Sequence, residues 1–225
     1  MVQKPIVTAD EAVKLIKEGD AVMVGGFLGC GSPTGLIAAL EKRGTGKMTL
    51  ICNDCAMYNP KTGEMNGVAP LVAKKRFSTA VISHIGTNPE IQRQMNEGET
   101  DVQLVPQGTL AERIRAAGAG LGGVLTPTGL GTEVQDGKKV VEVDGAKFLL
   151  EKALSGDVAL IRAKKADKSG NCVYDKSGRN FNPLMAMACG TVIVEADEIV
   201  EIGELDPEVV VTPSVFVTHL VQGRK

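Results

Sequence analysis

The chain has 225 residues, 43% of them hydrophobic and 23% charged, with a formal net charge of −2. That balance excludes disordered and fibrous classes, and without a concentrated Lys/Arg surface it argues against nucleic-acid binding. No apolar run approaches the ~18 residues needed to cross a bilayer, and Met-Val-Gln-Lys-Pro does not open a signal peptide, so we expect a cytoplasmic protein that engages neither nucleic acid nor membrane. The five cysteines are odd in number and fall mostly within apolar runs, which suits buried thiols in a reducing compartment. Cys52-Asn53-Asp54-Cys55 has metal-motif spacing, but no second pair or nearby histidine completes four ligands, and no metal is expected.

In chain order, Thr8-Ala9-Asp10-Glu11 reads as a capping box opening a first helix, with Val13 and Ile16 on one face and Gly19 as its stop. Ala21 to Val24 reads as a short buried strand. After a run of glycines, Ser32-Pro33 offers an N-cap and first-turn proline for a helix ending near Gly44. Met48 to Cys52 and Ala80 to His84 are further strands, the second leading to Asn88-Pro89 and a helix that stops near Gly98. Val102 to Val105 is a strand followed by Pro-Gln-Gly, after which Thr109 and Glu112 read as another capping box and Gly118 as a stop. The second half is less regular: a glycine-rich passage from Gly118 to Gly131, a hairpin at Asp144-Gly145, a strand at Val158 to Ile161, a helix opened by Asn182-Pro183, and a strand at Val192 to Val194.

Strands alternating with helices imply an α/β fold, a mostly parallel sheet flanked by helices, here with an irregular second half. We find no linker-like shift in composition and expect a single domain over residues 1–225. In open α/β sheets the ligand lies beyond the carboxyl ends of the strands. The loops there are Gly25 to Ser32, Asn53-Asp54, Gly86-Thr87-Asn88 and Gln107-Gly108-Thr109. They are rich in glycine, amide and hydroxyl groups and hold no obvious nucleophile with its base, so they suit hydrogen bonding to a carbonyl, carboxylate or phosphate oxygen. Capping accounts for Ser32, Asn88 and Asn182; it accounts less well for Asn53 and Gln107, neither of which stands at a helix start in this reading.

The glycine loop lacks the Gly-Lys-Ser/Thr of a phosphate-binding P-loop, having Gly-Ser-Pro instead. A dinucleotide loop turns at once from strand to helix, whereas Gly25-Gly26-Phe27-Leu28 intervene here and Pro33 occupies the helix start. The stretch Val22-Met23-Val24-Gly25-Gly26-Phe27, followed by Gly31-Ser32-Pro33, resembles the signature of the first subunit of family I coenzyme A transferases; Glu18-Gly19 stands where that pattern opens with Asp or Asn before Gly. Ser83 to Pro89, Pro106 to Arg115, Thr126 to Gly129 and Arg179 to Pro183 resemble segments of the same subunit in the same order, nearest to the α subunits of acetate or butyrate to acetoacetate CoA-transferases.

The resemblance implies a CoA-transferase-like open α/β fold and a ping-pong reaction in which a glutamate of a separate β subunit attacks the acyl-CoA thioester. No glutamate here stands in the Ser-Glu-Asn-Gly context of that nucleophile, so no catalytic residue is expected in this chain. The resemblance assigns acyl-CoA binding to Gly25, Gly26, Phe27, Leu28, Gly29, Cys30 and Gly31, and places Asn53 and Gln107 as amides lining the active site. It leaves the role of Asp54, second in the family's Asn-Asn pair, open. It further implies an α2β2 heterotetramer acting on acyl-CoA and short-chain carboxylates such as acetate, butyrate or acetoacetate, with coenzyme A as substrate and no resident cofactor. A non-catalytic small-molecule-sensing α/β domain and an acyl-CoA hydrolase subunit are the alternatives.

Overall fold

Side chains alternating across short central strands decide the layering. The computed structural model describes residues 2–223. The chain opens with β1 (Ile6–Val7) and α1 (Ala9–Ala12), where Thr8 and Glu11 form the expected reciprocal capping box. The helix tightens into a 3-10 turn over Val13–Leu15 and stops before Gly19, whose φ is 89°. β2 (Ala21–Val24), α2 (Thr34–Arg43) and β3 (Met48–Ile51) follow, α2 ending on the left-handed Gly44. Next come a small hairpin, β4 (Tyr58–Asn59) and β5 (Glu64–Met65), the short α3 (Ala69–Ala73), and β6 (Phe77–Ile82). α4 (Pro89–Asn96) is capped by Asn88, as expected, and β7 (Asp101–Leu104) leads into α5 (Gln107–Gly118).

The second half holds β8 (Gly123–Thr126), β9 (Val140–Val143), β10 (Ala146–Lys152), β11 (Gly156–Asp167), β12 (Cys172–Val173), α6 (Asn182–Met187), β13 (Cys189–Val200) and β14 (His219–Gln222). Its irregularity is only partial. β8, β10 and β9 form an antiparallel sheet of their own, and Asp144 and Gly145, both at positive φ, make the expected two-residue turn between β9 and β10. β8 lies inside the glycine-rich passage that carries no strand signal.

The main sheet has the order β1-β14-β13-β11-β2-β3-β6-β7, all parallel, with β12 antiparallel on β11. Val22 and Val24 of β2 enter one buried cluster with Leu36, Leu40, Leu71 and Ile91, while Met23 between them enters the other with Leu110, Ile114 and Met185. α1 to α4 therefore cover one face and α5 and α6 the other, as the period-2 alternation of a strand requires. The order reverses between β2 and β11, and the glycine loop leaves β2 at that switch point.

Three helix starts differ from expectation. α2 begins at Thr34 with Pro33 as its cap residue, so Ser32 is a buried loop residue rather than a cap. Its first amides are held from across the sheet, where buried Glu195 on β13 accepts from Gly35 and Leu36 at 3.1 and 2.8 Å. α5 begins at Gln107, two residues before Thr109, so Thr109 and Glu112 form no capping box and Gln107 does stand at a helix start. Asn182 caps nothing, because α6 already includes it and its side chain is turned toward the glycine loop.

Candidate functional site

The loops after β2, β3, β6 and β7 meet along one edge of the sheet, as their adjacency in the strand order requires. In the first of them, Phe27 and Cys30 exchange backbone hydrogen bonds of 3.0 and 2.9 Å, closing a tight turn over Leu28 and Gly29. Both turn residues have positive φ, 49° and 85°. Glycine adopts this freely, whereas leucine does so only when its surroundings hold it there. The Leu28 N–H donates to both carboxylate oxygens of Asp54, at 3.2 and 3.0 Å, and the Leu28 carbonyl accepts from Asn66 Nδ2 at 3.2 Å. Phe27 and Cys30 are exposed at the tip.

The glycines are required by the protein's own packing. A Cβ on Gly25 would lie 1.8 Å from Asn182 Oδ1, one on Gly26 2.2 Å from Ser32 Oγ, one on Gly29 2.7 Å from the Asn66 amide, and one on Gly31 2.6 Å from the Gly178 carbonyl. The space enclosed behind the loop, between Gly25, Gly26, Ser32 and Asp54, is about 10 Å³, at most room for one water. The Gly26, Gly29 and Gly31 amides have no hydrogen-bond partner among the described residues; Gly26 is buried, whereas Gly29 and Gly31 are partly exposed.

The two amides singled out in the sequence are brought together: Gln107 Nε2 donates to Asn53 Oδ1 at 2.7 Å. Asn53 is buried and also bound through Ser83 Oγ, at 3.1 Å, and by its own Nδ2 to Asp54 at 2.6 Å; Gln107 is exposed at the first turn of α5. Asp54, itself buried, further accepts from the Ala56 N–H at 2.7 Å. One carboxylate thus ties the glycine loop to the amide pair.

Residues outside the loops and the amide pair complete the frame. Asn182 is fully buried; its Oδ1 accepts from the Arg162 N–H at 3.1 Å, and its Nδ2 donates to the Gly31 and Gly178 carbonyls at 3.0 and 2.8 Å. Asn180 Nδ2 donates to the Cys30 carbonyl at 3.0 Å. The Arg179 to Pro183 segment, which carried part of the resemblance, is therefore a buttress for the glycine loop. Asn66 had no sequence signal, because its partner Leu28 lies far from it in the chain.

Other titratable side chains near these loops are not bonded to the amide pair among the described residues. Glu90 is bound by Arg93 and by Gln94 at 2.7 Å each, and the Arg93 guanidinium draws its carboxyl below the usual range. Glu133 begins a 3-10 turn, and His84 and Arg179 are exposed. Cys52 and Cys55 are buried core thiols, and burial pushes the Cys52 thiol well up.

The description "Coenzyme A transferase" belongs to the family whose model matches residues 6–223. The chain belongs to the coenzyme A transferase family. It is 48% identical over 216 residues, 96% of either chain, to the acetate CoA-transferase subunit alpha of Escherichia coli strain K12. It is 42% identical over 217 residues, 96% of this chain and 97% of the other, to the acetoacetyl-CoA:acetate/butyrate CoA transferase alpha subunit of Clostridium acetobutylicum. An acyl-CoA transferase from Escherichia coli O157:H7, solved as a thioester complex with CoA, superposes with a TM-score of 0.88 at 25% identity, covering 98% of this chain and 47% of that one. In this chain the glycine loop and the amide pair lie together at one edge of the sheet.

Proposed function

We propose that this chain is the α subunit of a CoA-transferase that moves CoA between a short-chain acyl-CoA and a carboxylate such as acetate, butyrate or acetoacetate. The observation that carries the reading is the Asn53–Gln107 pair, bonded at 2.7 Å and joined through Asp54 to a glycine loop in which the Gly26, Gly29 and Gly31 amides have no partner among the described residues. This edge supplies hydrogen bonds and shape but no free carboxylate, since Asp54 is buried and already accepts from Leu28, Asn53 and Ala56. The nucleophile belongs to a β subunit, in a cytoplasmic assembly we take to be α2β2. Its glutamate attacks the thioester carbonyl and releases CoA thiolate. The thiolate then attacks the resulting anhydride at the glutamyl carbonyl, freeing the first carboxylate and leaving a glutamyl-CoA thioester. The incoming carboxylate reverses the sequence. On this side, Gln107 and the loop amides orient the acyl oxygen and stabilise charge developing on it.

The test is co-expression with the candidate β subunit, followed by borohydride treatment in the presence of acyl-CoA and absence of acceptor. Inactivation that requires acyl-CoA and maps to a glutamate of the partner is expected. Modification mapping to a glutamate of this chain overturns the division of labour.

A further inference from the structure

Asp54 lies between the glycine loop and the amide pair and touches both. Its Oδ1 accepts from Leu28 and Ala56, and its Oδ2 from Leu28 and from Asn53 Nδ2. An ionised carboxylate only accepts, whereas an amide side chain has one donating and one accepting end. The Asn53 end facing Asp54 must therefore be its NH2, its Oδ1 must face Gln107, and Gln107 must turn its NH2 inward and its Oε1 out. From this geometry we infer that Asp54 is a positioning residue that sets the donor–acceptor polarity of the Asn53–Gln107 pair, and with it which end of Gln107 the site presents.

The substitution Asp54→Asn reverses the polarity while keeping the Ala56 contact and one of the two Leu28 contacts that anchor the loop. The introduced amide would place its oxygen where the Ala56 N–H donates at 2.7 Å and the Leu28 N–H at 3.2 Å, giving up the 3.0 Å Leu28 contact at Oδ2, since an NH2 at the Oδ1 position would face two donors and at the Oδ2 position only one. Its own NH2 then takes the place of the Asp54 Oδ2, opposite Asn53 at 2.6 Å, and Asn53 must turn over to meet it with Oδ1. Ser83 tolerates the turn, because a hydroxyl both donates and accepts. Asn53 now offers NH2 to Gln107, which swings its Oε1 inward.

The test is a cycle of Asp54→Asn and Gln107→Glu in the assembled complex, read as thermal midpoints in about 1 M salt, where the Debye length of about 3 Å suppresses simple charge repulsion. A glutamate introduced by Gln107→Glu faces the Asn53 oxygen in the wild-type background and loses its bond, but accepts from the turned Asn53 in the Asp54→Asn background. The double variant should therefore melt about 2 °C or more above the sum of the single effects. A smaller departure from additivity overturns the inference. The catalytic consequence rests on the transferase reading. There, Asp54→Asn should lower kcat about tenfold with little change in KM, and the loss should vanish in a Gln107→Ala background. Equal losses in both backgrounds overturn the link between polarity and turnover. A wild-type complex without transferase activity defeats the transferase reading instead, and the thermal cycle still decides the polarity.

Discussion

Gly25 and Gly31 show how single residues shape the site. Neither tolerates a methyl group, because Asn182 and the Gly178 backbone already occupy the space it needs, and Gly31 also has a φ of 74°. Gly25→Ala should cost about 1 to 3 kcal/mol through overpacking against a fully buried asparagine, read as a lowered thermal midpoint. Gly46→Ala is the control: no atom lies within 4 Å of the added methyl, and its effect should stay within about 0.5 kcal/mol. Gln107 makes the complementary case, its side chain being exposed and bonded, among the described residues, through its amide to Asn53 alone. Gln107→Ala should therefore leave the midpoint nearly unchanged while lowering turnover of the assembled enzyme roughly 100-fold; wild-type turnover in that variant would remove Gln107 from the site.

At the scale of elements, α2 depends on a partner from across the sheet. Pro33 makes no side-chain cap, and the first amides of α2 are met by Glu195 of β13 instead. Glu195→Ala should leave those N–H groups unsatisfied and cost about 1 to 3 kcal/mol, whereas Glu195→Gln, which retains one accepting oxygen, should cost less; differential scanning calorimetry compares the two. α4 carries a different device. Arg93 binds Glu90 and Glu99 at 2.7 Å each and also contacts Glu97. Hydrogen bonds from Arg93 and Lys75 lower the Glu99 carboxyl to about 2. A carboxyl depressed in the folded state stabilises above its unfolded pKa of about 4.3 and loses that contribution as pH falls toward 2. Between about pH 5 and pH 2 the midpoint should therefore fall less steeply in Arg93→Ala than in wild type.

For the molecule as a whole, sheet order brings four loops that are far apart in sequence to one edge, where they form the candidate site. The second half buttresses it, with Asn180 and Asn182 holding the loop that leaves β2. Because this edge offers donors and no free carboxylate, the chain expressed alone should show no exchange of CoA between acetoacetyl-CoA and labelled acetate. Exchange should appear on adding the β subunit. Activity in the isolated chain would place the nucleophile here after all.

Much of this was legible in local patterns. The capping box at Thr8, the Asn88 cap, the Asp144-Gly145 turn and the alternation of strands with helices are short-range signals, and the structure bears them out. Asn53 and Gln107 stood out as polar loop residues that turns explain poorly, and they prove to be hydrogen-bonded to each other. Local patterns misread Ser32, Thr109 and Asn182, because each resembles a cap while its partner or its helix start is decided elsewhere. Fold class and the glycine loop are written along the chain as periodicity and spacing, and the family as a resemblance carried by several motifs in one order. Only the tertiary structure decided that β11 lies beside β2, that Glu195 caps α2, and that Asp54 joins the loop to the amide pair. Those contacts depend on hydrogen-bond geometry between residues that strand order, rather than spacing, brings within about 3 Å of one another.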